Sequence, residues 1–228
     1  MARNSPYGSR RRRPALIIVL LLLALAVIGA VLWRKLPRSY YTAEQLGITE
    51  LSSPADADGD GVDDWHDMML GARSYIATDP HYKSKYYAGG YPDDGLGVCT
   101  DVIWQAFRAA GYELKDLVDA DIAAYPERYD NITSPDPNID FRRVSNLDRF
   151  FTAHATVLPC DFSDPAQWQP GDIVTFGSSD HIAVCSDRRR ADGIPWIIHH
   201  GNAVEEAVEA DQIHRSQVTG HYRWPGTP

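Results

Sequence analysis

The segment Ala15–Trp33, ALIIVLLLLALAVIGAVLW, runs nineteen residues without a charge. Such a run is just long enough to cross a hydrocarbon layer of about 30 Å as a helix. Arg3 and Arg10 to Arg13 precede it, and only Arg34, Lys35 and Arg38 follow closely. The stronger positive cluster predicts a cytoplasmic N-terminus and an exported remainder. The run is longer than the core of a cleaved signal peptide, and its small residues between Ala24 and Ala30 lie inside it, so it reads as an uncleaved signal anchor. Residues 1–14 are then a basic cytoplasmic tail and 15–33 a single transmembrane helix of the cell membrane. Residues 34–50 form a short tether that keeps the folded body close to the bilayer.

Beyond the span, the chain is long enough for one packed core. All 31 acidic residues and 14 of the 22 basic ones lie beyond residue 38, giving that part a net charge of −17. A surface of this sign argues against a nucleic-acid partner and suits a domain that binds cations or stays soluble by repulsion.

The acidic residues are not evenly spread. DADGDGVDDWHD, Asp56 to Asp67, alternates Asp56, Asp58 and Asp60, then places Gly61 and closes on Asp67. Calcium loops use oxygen ligands at positions 1, 3 and 5, glycine at 6, a backbone carbonyl at 7 and a carboxylate at 12. Counted from Asp56, the expected ligands are Asp56, Asp58, Asp60, the carbonyl of Val62, and Asp67. Position 12 is Asp rather than Glu, and its shorter arm makes bidentate ligation harder; Asp63 or Asp64 are possible substitutes. The plainer reading is an acidic turn that caps the helix DDWHDMMLGARSYIA. Six carboxylates in twelve residues repel one another without a counter-ion, which favours a structural calcium in a segment spanning 51–80. Nothing in the sequence calls for an organic cofactor.

The stretch GLGVCTDV, residues 95–102, places Cys99 after glycines and before an apolar pattern of helical period: Val102, Ile103, Ala106, Phe107 and Ala110. The period predicts a helix that ends at Gly111, with Cys99 at its N-terminus. There the macrodipole and free backbone N–H groups lower a thiol pKa and can cradle an oxyanion. The Pro-, Asn- and Asp-rich stretch DIAAYPERYDNITSPDPNIDFRRV reads as a long surface loop. SNLDRFFTAHATVL reads as a second amphipathic helix capped by Ser145.

Strand signals follow. WQPGDIVTFG turns at Pro170–Gly171 into a β-rich run, DHIAVCSD opens a second strand at His181, and PWIIHHGN closes a third with His199 and His200. RRRADGI supplies the turn between the last two, with Asp192–Gly193 at its tip. Antiparallel pairing of those two strands sets His181, at the start of one, beside His199, at the end of the other.

A thiol at a helix terminus facing a histidine on a sheet, with a third polar group to fix the imidazole, is the working part of a cysteine hydrolase. The ordered set GVCTDV, NIDFRRV-NL, PGDIV, HI-V-SD, IIH and GHYRW, from Gly97 to Trp224, resembles the DUF1287 family, a relative of the NlpC/P60 branch of papain-like hydrolases. The resemblance implies an α+β, papain-like NlpC/P60-type fold over 81–228, with N-terminal helices packed on an antiparallel sheet. It further implies Cys99 as nucleophile, His181 as base and His199 as third residue. His199 is preferred to His200 because the family's polar residue directly follows the apolar pair, here Ile197 and Ile198. NlpC/P60 members carry DCSG at the nucleophile where this chain has VCTD, so their pocket details do not transfer. Asp101 then either braces the helix start or reaches the substrate, and Thr100 contributes to the oxyanion site.

On these roles, a thiolate–imidazolium pair is expected at rest, with fast, selective alkylation of Cys99 near neutral pH. Cys160 and Cys185 either form a disulfide, as export allows, or Cys185 merely packs inward on the strand of His181. Asp180, His181, His199 and His200 permit a zinc reading, but no HExxH spacing supports it. Two functions stay open. One is a membrane-anchored extracytoplasmic hydrolase that cuts an amide bond in cell-wall peptides. The other is a catalytically silent, calcium-stabilised wall-binding or scaffold domain.

Overall fold

The computed structural model describes residues 17–27, 40–202, 204 and 206–225. The chain divides into two units, Met1–Ser39 and Tyr40–Pro228. In the first, residues 17–27 form helix α1 with exposed side chains. Among the described residues no helix is long and apolar enough to cross a membrane. The basic tail, the tether up to residue 39, and residues 15–16 and 28–33 of the expected span lie outside the described residues.

The second unit is a mixed α+β structure. Its helices are α2 (Asp64–Ile76), α3 (Cys99–Ala109), α4 (Leu114–Ala124) and α5 (Val144–His154). Strands β1 (His81–Tyr82) and β2 (Leu96–Gly97) make a small parallel pair. The main sheet is built from β3 (Thr156–Val157), β4 (Ile173–Phe176), β5 (His181–Arg189), β6 (Pro195–His200), β7 (Ala207–Ala210) and β8 (Val218–Arg223). Its order is β3-β8-β4-β5-β6-β7, antiparallel throughout.

The β4-β5-β6 meander follows the sequence reading, whereas β7 and β8 do not figure in it. β8, carrying GHYR, inserts between β3 and β4. The predicted long loop is shorter than expected, because α4 occupies Leu114–Ala124 and buries Leu114, Val118 and Ile122. Helix α5 starts at Val144 behind Arg143, so Ser145 lies inside its first turn instead of capping it.

Strand alternation sorts the sheet into two faces. Ile173, Ile182, Val184, Ile198 and Tyr222 pack against Val102, Ile103 and Phe107 of α3 and Leu147 and Phe151 of α5. Val174, Phe176, Ala183, Cys185, Ile197 and Val218 lie on the other face with Trp168, Ile194 and Ile213. Both faces are therefore covered, which is why β4 and β6 are buried at every residue and read as near-continuous apolar runs. Each aliphatic or aromatic side chain of the α3 stripe buried in this way contributes roughly 1.5–3 kcal/mol.

Candidate active site

Cys99 is the first residue of α3, behind an extended Val98. Asp101 holds this start in place and is itself fully buried. One of its oxygens accepts from the Val98 backbone N–H at 2.7 Å, the other from Trp104 Nε1 at 2.7 Å. Arg142 then spans both oxygens, with Nε and Nη2 at 2.8 Å each. Its remaining Nη1 reaches the carbonyl of Lys85, and its own carbonyl accepts from the Thr100 hydroxyl. Asp101 is thus a brace for the helix start, and its carboxylate is spent on protein groups. The NIDFRRV segment earns its place through this grip. Gly97 answers to Tyr75: a Cβ at residue 97 would lie 2.0 Å from the Tyr75 hydroxyl.

The Cys99 sulfur accepts from the backbone N–H of Ile182, the residue after His181, and from the N–H groups of Thr100 and Cys99 itself. All three bonds favour a thiolate. Burial outweighs them and pushes the thiol up to about 11. The expectation of a thiolate at rest is therefore corrected: at neutral pH the free protein carries a thiol here. Cys160 and Cys185 are free as well, so the disulfide alternative does not apply.

His181 and His199 meet as the strand pairing requires. His181 Nε2 lies 2.8 Å from His199 Nδ1, with the rings nearly perpendicular. His199 is buried, and burial, with His181 beside it, lowers its pKa to about 3. It is a neutral imidazole across the ordinary pH range. Phe176 lies against His181, and the pair opens on a cavity of about 260 Å³ bounded also by Tyr82, Asp180, Asn202, Gln212 and Arg215.

Strand parity adds what the sequence reading passed over. Phe176 pairs with His181 and Thr175 with Ile182. His181 and His199 therefore leave the sheet on the face of Ala183 and Ile197, while His200 leaves on the face of Ile198, toward α3. His200 is fully buried, with its ring edge-on to Tyr82 and Nδ1 3.4 Å from the Tyr75 hydroxyl. Burial lowers its pKa, and the Asp101 charge opposes that shift. Two adjacent histidines on one strand must point to opposite faces, and that signal was present in IIHH.

The remaining family motifs form a second network away from the thiol. Asp172 of PGD accepts from His221 Nε2 at 2.9 Å and from Arg223 Nε and Nη2 at 2.7 and 2.8 Å. Trp168 stacks on the His221 ring with centroids 3.9 Å apart. GHYRW therefore locks β8 to the turn before β4.

In the acidic loop, oxygen atoms of Asp56, Asp58 and Asp60 lie within 4.8 Å of one another. Asp63 caps α2, accepting from the N–H groups of Trp65 and Ser53, and Asp64 is buried, accepting from Ala57 N–H and the Tyr112 hydroxyl. Both suggested substitute ligands are thus committed elsewhere. Asp67 is buried with Oδ2 lacking any hydrogen-bond partner, and its carboxyl is pushed up to about 6 by that burial and by Asp60, Asp58 and Asp56.

No solved structure matches this chain. The chain is 37% identical over 165 residues to "Uncharacterized protein YijF" of Escherichia coli (strain K12), covering 68% of this chain and 78% of that protein. The model of the "Domain of unknown function (DUF1287)" family matches residues 69–224, which takes in α3 with Cys99, the whole main sheet and both histidine-bearing strands. The chain belongs to the DUF1287 family.

Proposed function

We propose that this protein is a membrane-anchored, extracytoplasmic cysteine hydrolase of papain-like, NlpC/P60-type architecture that cleaves an amide bond in cell-wall peptides. The observation that carries the reading is the convergence at one end of the sheet. The Cys99 sulfur takes the Ile182 N–H while His181, one residue away, is paired with His199 at 2.8 Å. The uncharged run Ala15–Trp33 supports the anchor and the acidic body supports export.

The histidine pair fixes roles if His181 is the base. A base needs a lone pair toward sulfur, so the proton of neutral His181 sits on Nε2 and is donated to His199 Nδ1. His199 then carries its own proton on Nε2, on the side where Gln212 lies. His181 Nδ1 takes the thiol proton as sulfur attacks the carbonyl carbon. The Cys99 and Thr100 N–H groups receive the oxyanion. Collapse of the tetrahedral intermediate expels the amine with the proton from His181 and leaves a thioester. Water, deprotonated by the same ring, attacks that thioester, releases the acid and restores the thiol.

The test is release of new amino groups from purified wall peptides by the full chain in detergent. Cys99→Ala abolishes release with the fold intact, His181→Ala nearly so, and His199→Ala leaves a measurable remnant. Cys99→Ala at the wild-type rate overturns the reading. His200→Ala belongs in the same assay, because His200 stands on the α3 side of the sheet. Loss of turnover with His200→Ala alone transfers the base role to it. The second reading, a catalytically silent wall-binding domain, draws on the burial of Cys99 and the protonated thiol. It requires wall binding that survives Cys99→Ala with no amine released by any form.

A further inference from the structure

We infer that the Asp56–Asp67 loop is a calcium site that ties the start of α2 to the far end of the helix carrying Cys99. Asp56, Asp58 and Asp60 bring carboxylate oxygens within 4.8 Å of one another. That spread is about twice a Ca–O distance of 2.3–2.6 Å and too wide for the 2.0–2.1 Å shell of magnesium. The independent observation is Asp67. It is 7% exposed, its Oδ2 has no partner, and it lines one cavity together with Asp60. A buried carboxylate oxygen without a donor costs free energy unless something positive meets it. Among the described residues, no Lys, Arg or His forms an ion pair with Asp56, Asp58, Asp60 or Asp67.

The donor set is all oxygen: three loop carboxylates, Asp67, and by the spacing of the loop the Val62 carbonyl. Two or three waters complete the six to eight ligands of calcium. Hard oxygen donors with neither imidazole nor thiolate exclude a zinc-type preference.

The position of the loop says what the ion would do. Gly111, just beyond α3, has φ +79°, and a Cβ there would lie 2.9 Å from the Asp58 Cβ. The loop therefore rests on the C-terminal end of α3, and Tyr112 reaches from that end to Asp64 at 2.5 Å. Calcium would clamp the α2 start and the α3 end as one body, with the thiol at the opposite end of α3.

The experiment is a calorimetric titration of the full chain in detergent with calcium chloride, and separately with magnesium chloride. One calcium per chain is expected, with a Kd at or below about 1 mM, magnesium at least tenfold weaker, and a higher melting temperature with calcium. Asp67→Asn keeps the shape of the side chain, and it is expected to weaken calcium at least tenfold. Asp58→Asn with Asp60→Asn should abolish binding, with circular dichroism confirming the fold. Absence of calcium binding to the wild-type chain up to 5 mM overturns the inference. Asp67→Asn binding as tightly as wild type overturns the site as drawn. Neither result bears on amine release, so failure here is separate from failure of the hydrolase reading.

Discussion

Arg142 grips both carboxylate oxygens of Asp101 at 2.8 Å, with both side chains almost wholly removed from water. A pair of this kind is not necessarily worth more than well-packed apolar residues, but breaking it from one side strands a buried charge. Arg142→Met is therefore expected to destabilise the domain by about 3–5 kcal/mol. Arg149→Ala, which breaks an exposed pair with Asp130, should cost less than about 1 kcal/mol. Urea unfolding of both variants checks this, and equal losses would contradict it.

The reactivity of Cys99 follows its burial. With the thiol pushed up to about 11, the thiolate fraction rises about tenfold per pH unit across pH 7–10. Iodoacetamide should modify Cys99 more slowly at pH 7 than it modifies a free cysteine thiol. The rate should keep climbing through pH 10. A plateau reached below pH 8 would instead reveal an ion pair with histidine at rest.

His199 makes stability depend on pH. Its pKa is about 3 folded and near 6.5 unfolded, so between these values the unfolded chain binds the extra proton. Stability from this group is complete above about pH 6.5 and falls as pH drops toward 3. His199→Asn should flatten the slope of unfolding free energy between pH 6.5 and 4.5 relative to wild type, read by urea titration at each pH. An unchanged slope would mean that His199 is protonated in the folded state.

Gly171 sits at φ +83°, and a Cβ there would approach the Trp65 carbonyl oxygen to 2.2 Å. Both the backbone angle and the contact oppose any side chain. Gly171→Ala should cost more than about 2 kcal/mol. Gly59→Ala, where nothing lies within 4 Å, should cost less despite its similar φ of +75°. Paired melting curves make the comparison.

What could be read from the sequence was what local periodicity and close pairing control. The apolar spacing from Val102 to Ala110 placed α3, and the order of strands around Asp192–Gly193 brought His181 to His199. What could not be read depends on partners far along the chain. α4 was hidden because DLVDADIAA carries so many carboxylates on its open side that it resembles loop composition. β8 went unseen because its place in the sheet is fixed by β3 and β4, some 45 to 60 residues earlier. The role of Asp101 needed Arg142, 41 residues away. The thiol's protonation was misjudged because a helix terminus is visible in a sequence, whereas the depth at which the sulfur ends up is not.

The insertion of β8 between β3 and β4 has a consequence for the order of events as the chain emerges from a translocation pore. β4, β5 and β6 can pair as soon as they are made, because each neighbours the next in sequence. β4 must still wait with an open edge until Val218–Arg223 has arrived, and β3 waits for the same segment. An unpaired, apolar strand edge is a template for wrong partners. The late segment brings its own fastening: His221 and Arg223 engage Asp172 on arrival. The sheet is thus zipped last in its middle, and a chain stalled before residue 218 would carry every candidate catalytic side chain without the strand that completes their support.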